Sequence, residues 1–283
     1  MKKTGRRSSN IEDRRGSTSS IVVGGGGLGA LVLAVVVTLL TGNPGPLLDQ
    51  VATPPAQSPV QTGQTSPEED ALAEFTSVVL ADTEDTWNQI FQEQVGQPYP
   101  EPTLVLYSGS TQSACGLGQA AMGPFYCPAD QKVYIDLSFY GDLKRRHQAP
   151  GDFAQAYVVA HEVGHHVQNV LGISSQVRQL QSRASEVEAN QLSVRLELQA
   201  DCFAGVWANR ADKARDILEQ GDVEEALNAA SQIGDDRLQQ QSRGIVVPES
   251  FTHGSSAQRM RWFKQGLATG DIEQCNTFSS NQV

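Results

Sequence analysis

One short run, AHEVGHH at residues 160–166, constrains this chain more than any other feature. His161 and His165 are four residues apart, so on an α-helix they lie on one face, one turn from each other. Two imidazoles at this spacing can bind one tetrahedral zinc ion. Glu162 lies one position round the helix from His161, where it can reach a water on the metal without binding the metal itself. The run therefore predicts a catalytic zinc helix.

The alternative to a zinc helix is a surface helix that carries two histidines by chance. Three of the five histidines of the chain fall within this run. The positions around them are mostly apolar: Val158, Val159, Ala160, Val163, Val167, Val170 and Leu171. A helix that is apolar on most sides is buried, and buried imidazoles and carboxylates are costly without a partner. A zinc ion supplies that partner, so the zinc helix is the favoured interpretation.

A catalytic zinc also needs a third protein ligand and an open position for water. Glu197 and Asp201 are four residues apart in LELQADCFAG and share one helical face. We predict that Glu197 is the third ligand and that Asp201 accepts a hydrogen bond from a ligand histidine, which fixes its tautomer. Glu186 and Glu188 are rival ligands, but neither has an acidic residue four positions later. Solvated surface charges are the alternative for Glu197 and Asp201.

The pattern HExxH followed by Glu-x-x-Ala-Asp resembles the zincin peptidases whose third ligand is a glutamate on a later helix, and CAAX-protease-like membrane peptidases share it. The block 252–259 is similar to their Thr-His-Pro-x-x-x-x-Arg stretch, with Gly254 where proline is usual. The resemblance implies peptide hydrolysis with Glu162 as general base. His253 is our first candidate for oxyanion stabiliser, ahead of Tyr157 and Arg259. Two alternatives for His253 are an inhibitory zinc ligand and a surface-loop histidine.

The chain is also similar to the bacterial membrane-anchored neutral zinc metallopeptidases, over most of residues 68–278 and the N-terminal tip. The matching segments are 5–15, 113–116, 123–128, 133–139, 151–157, 233–236 and 248–254. This resemblance implies Zn²⁺ as the cofactor, and no substrate comes with it. We expect an α+β fold: a mainly helical, zincin-like metallopeptidase domain with a small β-sheet, preceded by one transmembrane helix.

The N-terminal quarter of the chain differs in composition from the rest. Six basic and two acidic residues give residues 1–20 a net charge of +4, and because the whole chain carries −11, the rest carries −15. Residues 21–40 have no charge and are long enough to span a bilayer. A cleaved signal peptide and a core helix are the alternatives. The positive-inside rule then predicts a cytoplasmic basic tip at 1–20, a transmembrane helix at 21–41, a proline-rich linker at 42–67 and an extracytoplasmic domain at 68–283.

Four cysteines in a domain outside the cytoplasm suggest two disulfides. Three connectivities are possible. We prefer Cys115–Cys127, which closes a short glycine-rich loop, and Cys202–Cys275, which ties the C-terminal tail to the helix of Glu197. The acidic charge of the domain excludes nucleic-acid binding of the usual electrostatic kind. The expected partners are therefore the membrane and a peptide or protein substrate in the cell envelope. The alternatives are an envelope scaffold with a structural or vestigial zinc and a metal-dependent cell-wall amidase.

Hydrophobic periodicity and glycine stops predict the elements of the domain. Helices are expected at 68–94, 152–171, 175–210, 213–219, 222–231 and 256–268, and strands at 103–107 and 132–137. By analogy with zincins, residues 133–137 are the candidate edge strand for binding an extended peptide.

Overall fold

The computed structural model describes residues 1–3, 5–16, 65–119 and 122–279. Helices dominate and the sheet is small, so the predicted α+β class is confirmed. Within these ranges no helix is both long and apolar enough to cross a membrane. The predicted transmembrane helix at 21–41 and nearly all of the linker at 42–67 lie outside the described residues.

The α-helices of the described residues are α1 Pro67–Ile90, α2 Ser138–Arg145, α3 Asp152–Val170, α4 Ile173–Gln181, α5 Glu186–Arg215, α6 Asp222–Gln232, α7 Asp235–Arg243 and α8 Ser256–Thr269. A π-helical turn, Phe91–Val95, extends α1, and short 3₁₀ turns cover Pro248–Ser250 and Ile272–Cys275. The expected single helix at 175–210 is two helices, because a capping box starts a new one. The Ser185 side chain accepts from the Glu188 N–H, and the Glu188 carboxylate accepts from the Ser185 N–H. The helix expected at 213–219 is wrong, since α5 continues to Arg215.

A four-stranded sheet lies beside the helices in the order β1-β2-β6-β5. Its strands are β1 Ile11–Asp13, β2 Thr103–Tyr107, β5 Phe125–Cys127 and β6 Lys132–Asp136, and a separate hairpin joins β3 Ser110–Ser113 to β4 Gly116–Gln119. Strands β1, β2 and β6 are parallel, and β5 is antiparallel to β6. The interpretation of 133–137 as the edge strand is wrong, because β6 is hydrogen-bonded on both sides. The edge strand on that side is β5, which contacts α3.

Strand β1 comes from the basic N-terminal segment, with Ile11 opposite Leu104. The segment also surrounds Glu84, a fully buried carboxylate on α1. Glu84 accepts hydrogen bonds from the Arg6 guanidinium at 2.7 Å, the Ser8 hydroxyl at 2.5 Å and the Asn10 amide at 2.9 Å. A buried carboxylate without such donors is strongly destabilising. The segment is therefore an integral part of the domain.

This packing bears on the expected cytoplasmic location of residues 1–20, which stays a prediction. Met1–Arg14 and Thr65–Val283 form one compact unit. A single membrane crossing between these two segments would put them on opposite sides of the bilayer, whereas the structure pairs them as neighbouring strands. The basic residues of the tip indicated a cytoplasmic location, but several of them make ion pairs with the domain, such as Arg6 with Glu84 and Arg7 with Glu74. A three-residue strand is too short for its alternation to be recognised in the sequence.

Close helix crossings build the core around the HExxH run. A Cβ on Gly205 of α5 would lie 2.1 Å from the Phe263 carbonyl oxygen on α8, so glycine is what permits this crossing. A Cβ on Gly164 of α3 would meet the Ala200 carbonyl oxygen of α5 at 3.0 Å. The close approach of α3 to α5 sets the HExxH histidines beside Glu197. Both expected disulfides, Cys115–Cys127 and Cys202–Cys275, are confirmed.

Candidate active site

Three of the predicted site residues converge on one point between α3 and α5. Oxygens of the Glu197 carboxylate lie 3.2 Å from His161 Nε2 and 3.4 Å from His165 Nε2. Each residue offers one ligand atom, and these atoms lie within 4.8 Å of one another. A zinc ion about 2.0–2.1 Å from each donor in a tetrahedral arrangement would separate the donors by about 3.3 Å. The donor types and their spacing therefore fit zinc.

His161 is oriented through its other ring nitrogen. Its Nδ1 donates to Asp201 Oδ1 at 2.9 Å, which leaves Nε2 directed at Glu197. Asp201 is fully buried. Burial by itself would raise the pKa of Asp201, but Arg259 and His161 outweigh it and hold the pKa at about 2. Asp201 is thus an ionised carboxylate placed to fix the tautomer of His161, as predicted from the spacing.

Tyr157 and Arg259 bond to the same carboxylate. Arg259 donates to both Asp201 oxygens, from Nε and Nη2, each at 2.9 Å. It also donates to the Tyr157 hydroxyl at 3.2 Å, and that hydroxyl donates to Asp201. Both side chains are buried. Their polar atoms are engaged in holding Asp201, so the structure favours a positioning role for them over oxyanion stabilisation.

At its Nδ1, His165 has a neutral partner instead of a carboxylate. Its Nδ1 donates to Gln168 Oε1 at 2.9 Å, and its Nε2 is directed at Glu197. Glu197 is held ionised between the two histidines: burial opposes this, but His165 and His161 keep the pKa of Glu197 well below its usual range. The two histidines therefore present matching Nε2 atoms to one carboxylate.

Glu162 is buried and lines the same cleft as the three converging residues. Burial raises the pKa of its carboxyl, and the neighbouring His165 and His161 act in the opposite direction. The cleft has a volume of about 680 Å³, and β5 forms part of its wall through Phe125 and Tyr126. A carboxylate in this position can accept a proton from a water beside the Glu197 cluster.

His253 lies at the rim of the cleft, and its side chain is 52 % exposed. Its Nδ1 donates to Asp235 Oδ1 at 3.2 Å. This hydrogen bond is the main cause of a raised pKa of the imidazole, which burial partly offsets. His253 therefore lines the cleft while its Nδ1 is held by Asp235.

The loop that carries His253 is anchored to Asp235 by its backbone. The N–H groups of Thr252, His253 and Gly254 donate to Asp235 Oδ2 at 2.7, 2.6 and 3.0 Å. Gly254 has φ +91°, a conformation that proline cannot adopt, and proline would also lack the third N–H. Glycine at position 254, where proline is usual, therefore fits a loop that is anchored by its backbone N–H groups.

Sequence reasoning missed three residues of the site: Asp235, Gln168 and Gln199. Asp235 had a signal, since it is an acidic residue within a segment that resembles the family and it begins α7. The glutamines had none, because glutamine is common on helix surfaces and only the crossing of α3 and α5 makes these two buried. His166 is not among the converging residues; it is buried and bonds to Tyr126 of β5 at 3.1 Å and to the Pro100 carbonyl at 2.5 Å.

The chain is similar in sequence to proteins of two bacteria. The chain is 56 % identical over 289 residues to "Uncharacterized protein YpfJ" of Escherichia coli strain K12, covering 99 % of this chain and all of that protein. It is 44 % identical over 192 residues to "Uncharacterized protein Rv2575" of Mycobacterium tuberculosis, covering 64 % of each chain. No solved structure matches.

A model of the family described as "Putative neutral zinc metallopeptidase" matches residues 1–278. The match includes the N-terminal segment that supplies β1, together with the HExxH helix and the His253 loop. Zinc is the metal of this family, and the expected cofactor, Zn²⁺, is thereby confirmed. The chain belongs to this family.

Proposed function

We propose that this protein is a zinc endopeptidase in which His161, His165 and Glu197 hold the metal and Glu162 is the general base. The observation that carries the proposal is the convergence of two Nε2 atoms on Glu197 at 3.2 and 3.4 Å, with the Glu162 carboxylate lining the same cleft. A purely structural zinc site has no use for a carboxylate beside the metal that is not a ligand, so Glu162 argues against a scaffold.

Zinc at this site supplies a Lewis acid that polarises the scissile carbonyl and lowers the pKa of water. Glu162 accepts the proton of the attacking water and passes it to the leaving amine. His253, paired with Asp235, donates from Nε2 to the oxygen that becomes negative in the transition state. The open edge of β5 pairs with the backbone of an extended peptide and so aligns it in the cleft.

The decisive experiment is digestion of an unbiased peptide library by the full-length chain, compared with Glu162→Gln. Full length is required because β1 comes from the N-terminal segment. We expect Glu162→Gln to lower kcat by about 10²–10⁴-fold, the usual contribution of a general base, while zinc is retained. Glu186→Gln, an exposed acid at the start of α5, is the matched control and should retain full activity. Cleavage by Glu162→Gln at the wild-type rate would contradict the proposal. Cleavage restricted to cell-wall peptides would identify an amidase.

The ligand assignment has its own test. We expect one zinc per chain in the wild-type protein, and the loss of most of it in His161→Ala and in Glu197→Ala. Glu162→Gln should keep its zinc, since Glu162 is not among the three converging residues. Elemental analysis of the purified variants measures this directly. Full zinc occupancy in Glu197→Ala would exclude Glu197 as a ligand.

For its location, we propose an extracytoplasmic domain at the cell membrane, with residues 1–14 on the same side of the membrane as the rest of the domain. Two disulfides support an oxidising compartment, and the acidic domain is suited to peptide or protein substrates of the envelope and not to nucleic acid. Arg7 and Glu74 form an exposed ion pair that joins the two segments. Arg7→Cys and Glu74→Cys should therefore both react with a membrane-impermeant maleimide on intact spheroplasts. Labelling at Glu74→Cys alone would place the tip in the cytoplasm.

A further inference from the structure

The partners of His165 form a chain of buried amide groups that leads away from the cleft. Gln168 Oε1 accepts from His165 Nδ1 at 2.9 Å. Gln168 Nε2 donates to the Leu196 carbonyl oxygen at 2.7 Å and to Gln199 Oε1 at 3.1 Å. Gln199 Nε2 then donates to the Cys275 carbonyl oxygen at 3.0 Å. The two glutamines are 0 % and 5 % exposed, so no bulk water competes for these bonds.

The chain of bonds allows only one orientation of the Gln168 amide. Both amide hydrogens are used on oxygen acceptors, those of Leu196 and Gln199. If the amide were reversed, its oxygen would face two acceptors and its nitrogen would face His165. The oxygen of Gln168 therefore faces His165, which requires a proton on His165 Nδ1. That tautomer leaves the lone pair of His165 Nε2 free to bind a metal.

Gln168 also connects the two helices that carry the converging residues. It lies on α3 with His165, and it bonds to the carbonyl of Leu196, the residue before Glu197 on α5. This series of hydrogen bonds ends at the C-terminal tail, which the Cys202–Cys275 disulfide holds on α5. Thr277 adds a hydroxyl bond to the Arg195 carbonyl at 2.6 Å. The tail thus braces the turn of α5 that carries Glu197.

We propose that Gln168 is a positioning residue for the zinc site: it fixes the tautomer and orientation of His165, and Gln199 with the disulfide-anchored tail holds Gln168 in place. This inference rests on zinc binding at His165 and is independent of whether the protein cleaves peptides. A neutral amide suits this position because its N–H groups also donate to the Leu196 carbonyl and to Gln199 Oε1, which a carboxylate cannot do. The Asp201 carboxylate, in contrast, accepts from Arg259.

The test is zinc affinity of the full-length chain, measured by competition with a chelator in the absence of any substrate. Gln168→Leu keeps the volume but removes the acceptor, and we expect zinc affinity to fall by about 10–100-fold, as for other orienting partners of metal ligands. Gln168→Glu restores an acceptor for His165 Nδ1 but places its second oxygen against the Leu196 and Gln199 acceptors, so it should recover only part of that loss. Gln199→Leu should give a smaller loss, because Gln168 keeps its bond to Leu196.

Asn169→Leu is the matched control. Asn169 is the next residue on the same helix and bonds to the Tyr126 hydroxyl at 3.1 Å, away from the converging residues. Its variant should bind zinc as tightly as the wild type. Thermal unfolding of the metal-free variants separates folding from positioning, since a purely structural role lowers metal-free stability without the rescue of affinity by Gln168→Glu. Wild-type affinity in Gln168→Leu, no recovery in Gln168→Glu, or an equal loss in Asn169→Leu would each overturn the proposal.

Discussion

The cleft contains two histidine–aspartate pairs, and they differ in burial and in what surrounds the aspartate. His161 Nδ1 lies 2.9 Å from Asp201, which is fully buried and also accepts from Arg259. His253 Nδ1 lies 3.2 Å from Asp235 at the half-exposed rim, where Asp235 otherwise accepts backbone N–H groups. The His161–Asp201 pair thus lies in a buried, charged network, whereas the His253–Asp235 pair lies at a surface loop.

The difference shows how one pairing serves two chemical roles. At Asp201 the guanidinium balances the carboxylate, so the pair can orient a neutral imidazole as a metal ligand. At Asp235 no arginine or lysine is bonded to the carboxylate in the described structure. The pKa is raised in both histidines: burial lowers that of His161, but Asp201 and Glu197 bring it to about 9, and the hydrogen bond to Asp235 raises that of His253. The two pairs therefore differ in whether a buried cation balances the carboxylate. We call His161–Asp201 the inner pair and His253–Asp235 the outer pair. We expect the inner pair to determine stability and metal binding, and the outer pair to determine the rate of the chemical step.

The largest effect is expected from Asp201→Ala. It leaves Arg259 buried without its carboxylate, and breaking a buried ion pair in this way costs about 3–5 kcal/mol of unfolding free energy. Denaturant unfolding of the metal-free protein measures this. Glu186→Ala, exposed on the same helix, should stay within about 0.5 kcal/mol of the wild type. The double variant Asp201→Ala with Arg259→Met should be more stable than Asp201→Ala alone. If Asp201→Ala has the same free energy of unfolding as the wild type, the inner pair does not stabilise the fold.

The next largest effect is expected from His253→Ala. Loss of one oxyanion donor should lower kcat and kcat/KM together by about 100-fold, with KM and zinc content unchanged. His253→Gln, which keeps an N–H donor, should recover part of the rate. Steady-state kinetics with a peptide identified from the library measures both. An increase in kcat would show instead that His253 is an inhibitory zinc ligand, and an unchanged kcat would remove it from the chemistry.

A smaller effect is expected from Asp235→Asn, seen in the pH dependence of kcat. The charged groups that act on His253 are Asp235 and Glu197, which raise its pKa, and Arg259, which lowers it. If the protonated imidazole is the donor, activity is present below this raised pKa and is lost as the pH rises through it. Removing the charge of Asp235 should move this alkaline limb to lower pH. Asp236→Asn is the control, because Asp236 bonds to Ser256 and not to His253. Identical alkaline limbs in wild type and Asp235→Asn would refute the pairing.

The smallest effect is expected from Gly254→Ala. Its φ of +91° costs a non-glycine residue about 1–2 kcal/mol, and the added Cβ would lie 3.2 Å from Leu198 Cδ2. The displaced loop should lower kcat less than His253→Ala does, with zinc content unaffected. Gly244→Ala carries a similar backbone strain, at φ +70°, in open space. Gly244→Ala should therefore change stability and leave kcat at the wild-type value, and equal kcat values for the two variants would show that the anchored loop does not position His253.

The hydrophobic pattern of the sequence predicted several helices and strands closely. The strand expected at 103–107 matches β2, and the helix expected at 152–171 matches α3 to within one residue. Two elements were predicted wrongly because one local signal was weighed above another. The apolar pattern at 175–210 predicted a single helix, although the Ser185 capping box begins a second one. The positive charge of 1–20 predicted a cytoplasmic segment and no strand, although its basic residues make ion pairs with the domain.

By itself, the sequence determined which residues share a helical face: His161 with His165, and Glu197 with Asp201. These spacings follow from 3.6 residues per turn and need no knowledge of the fold. Only the tertiary structure decided which faces meet, because that depends on where helices can approach closely, as at Gly164 and at Gly205. The crossing of α3 and α5 buried Gln168 against Gln199, and the α7 N-terminus brought Asp235 to His253. Contacts of this kind depend on side-chain volumes across an interface, which local spacing does not encode.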